Sequence, residues 1–418
     1  ATTSNVFMTF GKSSAWVDEL NPPQANTSVS TFNETWKNMI GAKRVTGNNI
    51  RNAVPRFDWT ANTIYVAYDH MTDSKDLKNP NSQFYILTSD YNVYKCLSNN
   101  YGSMSTVQPN TTITTTHFQT SDGYIWKYMY TLSAEEKLRF LTSSFMPVKT
   151  IPYSDGSTQW EVQSHAIKGA IHVIQVTDGG SNYYSNDVSV IISGDGKDAN
   201  AYAILNTTSH TVSSIVVNNL GYDYTYATVS LQSSNGAGAT ARAIISPTGG
   251  HGYDPLTELG GSYLIFNIQF KNNENGVLTT HNDYRQISLM EDPLLYGSNV
   301  VFSNSVASQL TTLTLNGTSA EYVEDEWVYQ GKNLANATFK GVVVDWDYSN
   351  SKLKLADVYG TPTSDIITGN TTATTRYVSS ILSPDMKPYS GKLLYIDHIV
   401  PIMRSDDQNE EFKILLSF

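Results

Sequence analysis

Residues 390–418 read SGKLLYIDHIVPIMRSDDQNEEFKILLSF. Near the end, Phe412, Ile414, Leu416 and Phe418 fall on one side and Lys413 and Ser417 on the other, the period of two that marks a strand. Chain ends fray unless something holds them. An apolar alternation running to the last residue therefore predicts a buried strand in a finished sheet. On that reading Asp406, Asp407, Glu410 and Glu411 form an acidic turn between two final strands, and the two ends of the chain belong to one domain.

The same signal recurs upstream, at 64–68, 84–88, 124–130, 263–270, 287–290 and 393–396, punctuated by Asn, Gly, Asp and Pro clusters. Charged residues are only 16 %, while Tyr occurs 27 times. Such a charge-poor, Tyr-rich composition favours strands and long polar loops. The expected fold class is mainly all-β: a layered β-sandwich core with two short helices and two inserted small β domains. A chain of 418 residues exceeds one ordinary core.

Two capping boxes mark the helices. Thr31-Phe32-Asn33-Glu34 precedes a face of Phe32, Trp36, Met39 and Ile40 that ends at Gly41, and Ser133-Ala134-Glu135-Glu136 leads into Leu138 and Leu141. An internal repeat lies between them and the C-terminus. Ile174-Gln175-Val176, a Gly179-Gly180 turn, Val188-Ser189-Val190 and alternating Ala199, Ala201, Ala203 recur about 41 residues later as Ile215-Val216-Val217, Gly221, Val229-Ser230-Leu231 and Ala239, Ala241, Ala243. Strand signals at 326–329, 340–346 and 352–355 predict a second insertion resembling a small barrel. The expected partition is a core first part at 1–164, an inserted two-repeat β domain at 165–247, a core second part at 248–312, an inserted barrel at 313–380, and core C-terminal strands at 381–418.

A net charge of −11 speaks against a nucleic-acid groove, which needs a dense Lys/Arg field, and against docking on anionic lipid. Cys96 is the single cysteine, so neither an internal disulfide nor a cysteine zinc site can form. Lying in Tyr94-Lys95-Cys96-Leu97, it reads as a small core residue, and a reducing cytosol is the expected place of synthesis. No signal peptide and no apolar run near 18 residues is present. The numbering opens at Ala1 rather than an initiator Met, which leaves room for an upstream segment.

Motifs for chemistry are sparse. Gly11-Lys12-Ser13 matches the tail of a phosphate loop, but Val6 stands where its first Gly is required, so a strand-end turn is expected. His251, Asp254 and Glu258, within a run rich in glycine, form the best local cluster for an ion; the competing reading is a glycine-shaped return loop in which His and Asp bond backbone. Asp195-Gly196-Lys197-Asp198 lacks the ligand series of a calcium loop. Glu324-Asp325-Glu326 reads as a solvated strand-end loop. Tyr183, Tyr184, Tyr222, Tyr224 and Tyr226 cluster at equivalent turns of the repeat, either as a contact or sugar-stacking surface or as filler. Trp16, Trp59, Trp126 and Tyr128 read as packing. No catalytic, cofactor or metal residues are assigned, and no cofactor is expected.

Five segments in order carry a family resemblance: Asn5-Val6-Phe7-Met8-Thr9-Phe10-Gly11-Lys12-Ser13 with Trp16; Val54-Pro55-Arg56-Phe57-Asp58-Trp59; Asp122-Gly123-Tyr124-Ile125-Trp126-Lys127-Tyr128; Tyr284-Arg285-Gln286-Ile287-Ser288; and 390–418. Together they resemble the baseplate wedge protein gene product eight of T4-like contractile-tailed bacteriophages. The similarity covers somewhat over half the chain, and the repeat and the second insertion look like additions of the marine-phage kind. The resemblance implies a structural, non-enzymatic virion protein of the tail baseplate, assembled in the host cytoplasm. It implies a homodimer beside other wedge proteins, with no nucleic acid and no membrane partner. The alternatives are a carbohydrate-binding accessory role with glycan contact through the inserts, and a tail-spike depolymerase.

Overall fold

The structure is a computed structural model and describes residues 4–72, 82–184, 188–317 and 321–417; Ala1 and Phe418 lie outside them. Strands account for 47 % and helices for 9 %, so the fold is all-β, organised as three open sheets and two small closed barrels. No helix among the described residues is long and apolar enough to cross a membrane. The chain forms two compact units, residues 1–50 with 267–413, and residues 51–266 with 414–418.

The first unit holds a five-stranded sheet in the order Val306–Ser308, Met39–Val45, Val6–Gly11, Asp283–Glu291, Lys392–Met403. Its central strands pair antiparallel, Phe10 opposite Ile287 and Thr9 opposite Ser288, and the two hydroxyls of the latter pair share a hydrogen bond. Phe7, Trp36, Met39, Met290 and Phe302 fill one side of it. Each such buried ring or thioether stabilises the fold by roughly 1.5–3 kcal/mol. The same unit contains a closed six-stranded barrel, in the order Thr311–Leu315, Lys352–Gly360, Ala337–Asp347, Trp327–Gly331, Ile366–Gly369, Thr375–Leu382. Leu313, Val328, Phe339, Val343, Leu355 and Ile367 fill its interior.

A four-stranded sheet has the order Asn409–Ser417, Tyr263–Lys271, Ile50–Pro55, Phe145–Val148, and another, within the second unit, the order Tyr85–Leu87, Asn92–Ser98, Ile125–Thr131, Phe118–Gln119. Val54, Met146 and Val148 of the first meet Leu87, Val93, Met129 and Tyr130 of the second, which makes a two-layer sandwich. The third element is the repeat, closed into a six-stranded barrel. Its order is Ser189–Gly194, Lys197–Asn206, Thr211–Tyr222, Ile171–Ser181, Ala237–Ile245, Ala227–Gln232.

This barrel has an internal two-fold. Ile174 pairs with Ile215, its own counterpart in the other half, and Ala203 opposite Ile215 is matched by Ala243 opposite Ile174. The alternating alanines point into the core, where small side chains let six strands close around a narrow interior. Tyr183 and Tyr224 close the two ends. A Cβ on Gly236 would meet the Tyr183 ring at 2.2 Å, and one on Gly196 the Tyr224 ring at 2.3 Å, so glycine is required at both. Those two tyrosines are filler, whereas Tyr184, Tyr222 and Tyr226 are exposed.

Several local expectations are corrected. The first helix is Val29–Asn38, capped by Ser28 rather than Thr31, and Met39, Ile40 and Gly41 belong to the next strand. Ser28 and Thr31 are both good caps, and the Ser28 hydroxyl accepts the Thr31 amide. The box at Ser133 forms as read, over Ala134–Phe140, but Leu138 is exposed and Phe140 is the buried anchor. Among the described residues there are four short helices rather than two, the others being Thr158–Ser164 and Pro255–Glu258. Residues 64–68 form no strand; they are held by single backbone bonds such as Tyr68 N–H to the Cys96 carbonyl. The last strand is an edge strand with Asn409, Glu411, Lys413 and Ser417 exposed, Glu410 and Ile414 buried, and Leu415 packed near Phe140 and Ile265. Trp126 and Tyr128 are core, but Trp16 and Trp59 are only half-buried.

Candidate functional site

The most unusual chemistry lies inside the second unit, where the small sheet meets the ends of the repeat barrel. Strands Asn92–Ser98 and Ile125–Thr131 pair so that Lys95 stands directly opposite Lys127. Both are buried, at 0 % and 2 % exposure. Two like charges facing each other across a ladder repel, and the fold separates their partners. Lys95 Nζ donates to Glu258 Oε2 at 2.9 Å and lies 4.0 Å from the centre of the Tyr68 ring. Lys127 Nζ donates to the carbonyls of Thr114, at 3.0 Å, and Thr116, at 3.3 Å.

Glu258 is placed by the return loop from the barrel. Asp254 caps the turn Pro255–Glu258 by accepting the Thr257 amide, and Gly249, Gly250 and Gly252 take the left-handed conformations that wrap the loop around His251. The other Glu258 oxygen accepts the Gly252 amide at 2.8 Å and the Asp254 amide at 3.3 Å. The carboxylate is thereby fully engaged by one ammonium and two amides.

Three histidines adjoin this pair. His251 packs edge-on against His172 with ring centres 4.9 Å apart, and His172 against His117 at 5.3 Å; Tyr68 covers His251 from the other side. His172 opens the barrel's first strand and His251 sits in the loop just after its last, so both junctions of the barrel carry one ring of the cluster. The Nδ1 atoms of all three are buried without a hydrogen-bond partner. Burial holds all three pKa values down, to about 4 for His117 and well below the usual value for His172 and His251; Lys95 and Lys127 add to this at His251 and His172. The rings are therefore neutral near pH 7, and the 3.9 Å between His251 Nδ1 and Glu258 Oε2 is not an ion pair. Burial also lowers the pKa of Lys95, with Glu258 opposing, and brings that of Lys127 down to about 8.

Of the local cluster expected around an ion, His251 and Glu258 do come together, while Asp254 turns away to cap its helix. His251 does not bond backbone as the loop reading expected; it packs between rings. Among the described residues no group of three or more His, Cys, Asp or Glu side chains is arranged to hold a metal ion. Lys95, Lys127, His117 and His172 were not singled out in the sequence. For the two lysines the signal was a charged residue at the inward phase of an apolar strand, as with Lys95 between Val93 and Leu97.

The other acidic and glycine-rich motifs are structural braces. Asp195 accepts the amides of Thr225 and Tyr226 at 2.9 and 3.2 Å; the Thr225 hydroxyl and amide hold its pKa down to about 2. Glu326 is buried and accepts the amides of Val323, Thr371 and Thr372. Beside it, burial raises the pKa of Glu324. Asp406 accepts from Thr280 and His281 in the turn, whereas Glu410 pairs with buried Arg404 at 3.0 Å within the last strand. Lys12 follows the strand end in a left-handed turn and its ammonium lies over Trp16. Cys96 is buried and free.

No protein-family model matches the chain, and no curated protein is detectably similar to it.

Proposed function

We propose that the chain is a structural component of a contractile phage tail baseplate wedge, a rigid connector holding neighbouring wedge proteins. The observation that carries the reading is where the resembling segments fall. Three of the five, 5–13, 284–288 and 390–418, fall on Val6–Gly11, Asp283–Glu291 and Lys392–Met403, which are consecutive neighbours in one sheet although 271 residues, 12–282, lie between the first strand and the second. The remaining two supply Ile50–Pro55 and Ile125–Thr131 of the sandwich. Neither barrel contains any of them, in keeping with a shared frame that carries added modules.

The energetics favour a rigid part. Buried charges are paired or bonded to backbone, and many loop carboxylates are spent on bracing turns. In an assembly that changes shape, stiff subunits move about their interfaces. The reading assigns no catalytic step, and it places the working residues on the surface, in contacts with a second copy and with other wedge proteins. Light scattering of the purified chain is expected to give a dimer. A strict monomer, together with absence of the chain from purified tails, would overturn the reading.

A further inference from the structure

A cleft of ≈ 690 Å³ opens between the repeat barrel and the edge of the small sheet, entirely within the second unit. That volume lies in the range of small-molecule sites, roughly 300–1,000 Å³. We propose that it binds a neutral saccharide unit. This goes beyond the connector role and does not depend on it.

The charge argument comes first. Among the described residues, the two charged side chains lining the cleft, Asp69 and Arg242, are locked to each other by a two-pronged pair at 3.0 and 2.6 Å. In such a fork the two charges offset each other. With its charges cancelled, the pair offers little net attraction to an anion or a cation. A neutral ligand keeps the pair intact.

The lining then selects for hydroxyls. His172, 7 % exposed, and His117 line the inner wall with imidazoles, whose nitrogens can donate or accept according to tautomer. Hydroxyl groups do both as well. Around the rim, Asn99, Gln119 and Gln175 add amides.

The third element is an apolar platform. Tyr101 lines the cleft with its ring exposed, and its hydroxyl is tied to the Ser213 carbonyl on the barrel at 3.2 Å. It sits in a run of left-handed residues, Asn100 at φ 47°, Tyr101 at φ 57° and Gly102 at φ 79°. For a bulky side chain that conformation is unfavourable by about 1–3 kcal/mol. The strain holds a flat ring at the mouth of a polar cleft, where the C–H face of a sugar ring can stack.

Saturation-transfer NMR on the intact chain tests the proposal, with glucose, galactose and N-acetylglucosamine as probes and phosphate, acetate and spermidine competing as charged controls. Gln119→Trp and Gln175→Trp fill the cleft from exposed positions, so folding is preserved and is checked by circular dichroism. The expected result is transfer to at least one sugar, lost in both tryptophan variants and weakened about fivefold in affinity by Tyr101→Ala. No transfer to any of the three sugars, transfer that survives both tryptophan variants, or displacement of the sugar by any charged control would overturn it.

Discussion

Lys95 and Lys127 face each other across two antiparallel strands, both buried, and only Lys95 bonds a carboxylate, Glu258 at 2.9 Å. The two ammoniums are tolerated because Lys127 is turned to two carbonyls, although burial disfavours its charged form and brings its pKa down to about 8. Glu258→Gln leaves Lys95 facing a neutral amide beside a second ammonium. The expected loss is about 3–5 kcal/mol, and the double variant Lys95→Met/Glu258→Gln should recover most of it, because the glutamine oxygen still accepts the Gly252 and Asp254 amides. A chain with two compact units need not unfold in one step. Hydrogen exchange of Asn92–Ser98 gives the local readout.

The histidine cluster makes the second unit acid-sensitive. Each imidazole is neutral in the fold and has a folded pKa below its unfolded value near 6.5. Its contribution is fully present above about pH 6.5 and is lost as pH falls toward the folded value, about 4 for His117. In that window the unfolded chain binds more protons, so stability rises with pH by up to about 1.4 kcal/mol per pH unit for each ring. Denaturant midpoints measured between these limits should fall steadily toward acid. His117→Gln should flatten the slope by about one proton's worth; an unchanged slope would remove His117 from the account.

The barrel's two-fold predicts matched responses. Gly196→Ala and Gly236→Ala each drive a Cβ into a tyrosine ring, and each should destabilise the barrel by about 1–3 kcal/mol. Removing the ring in the same chain, as in Tyr224→Ala with Gly196→Ala, relieves the clash, so the pair should be less than additive. Thermal melts of the four single and double variants provide the check.

Ser133 anchors the helix Ala134–Phe140, accepting the Glu136 amide at 3.2 Å while Glu136 accepts the Ser133 amide at 2.9 Å. Ser133→Ala should lower stability by about 1 kcal/mol. Thr31→Ala should leave the Ser28 cap of the first helix in place, although it also removes a buried hydroxyl bonded to Asn26. Unfolding curves that rank the two alike would contradict the cap assignments.

Most of the strands were legible because their alternation is local: 263–270 and 287–290 lie within observed strands, and the period of about 41 announced a β domain of two similar halves, though not its closure into a barrel. Residues 64–68 misled because Ile64, Val66 and Tyr68 alternate without a partner strand, and pairing is not a local property. The edge position of the last strand was hidden for the same reason. Within the buried cluster, His251 and Glu258 lie seven residues apart and were found together. His117 and His172 enter from other loops and strands, and only the closed barrel brings them to the same place.

The connector role is tested most directly by electron cryo-microscopy of the contractile-tailed particle that carries this chain. The account predicts density for the all-β frame with its two six-stranded barrels in every baseplate wedge, at a two-fold contact between copies. A well-resolved baseplate without such density, or the chain found only outside the tail, would contradict it.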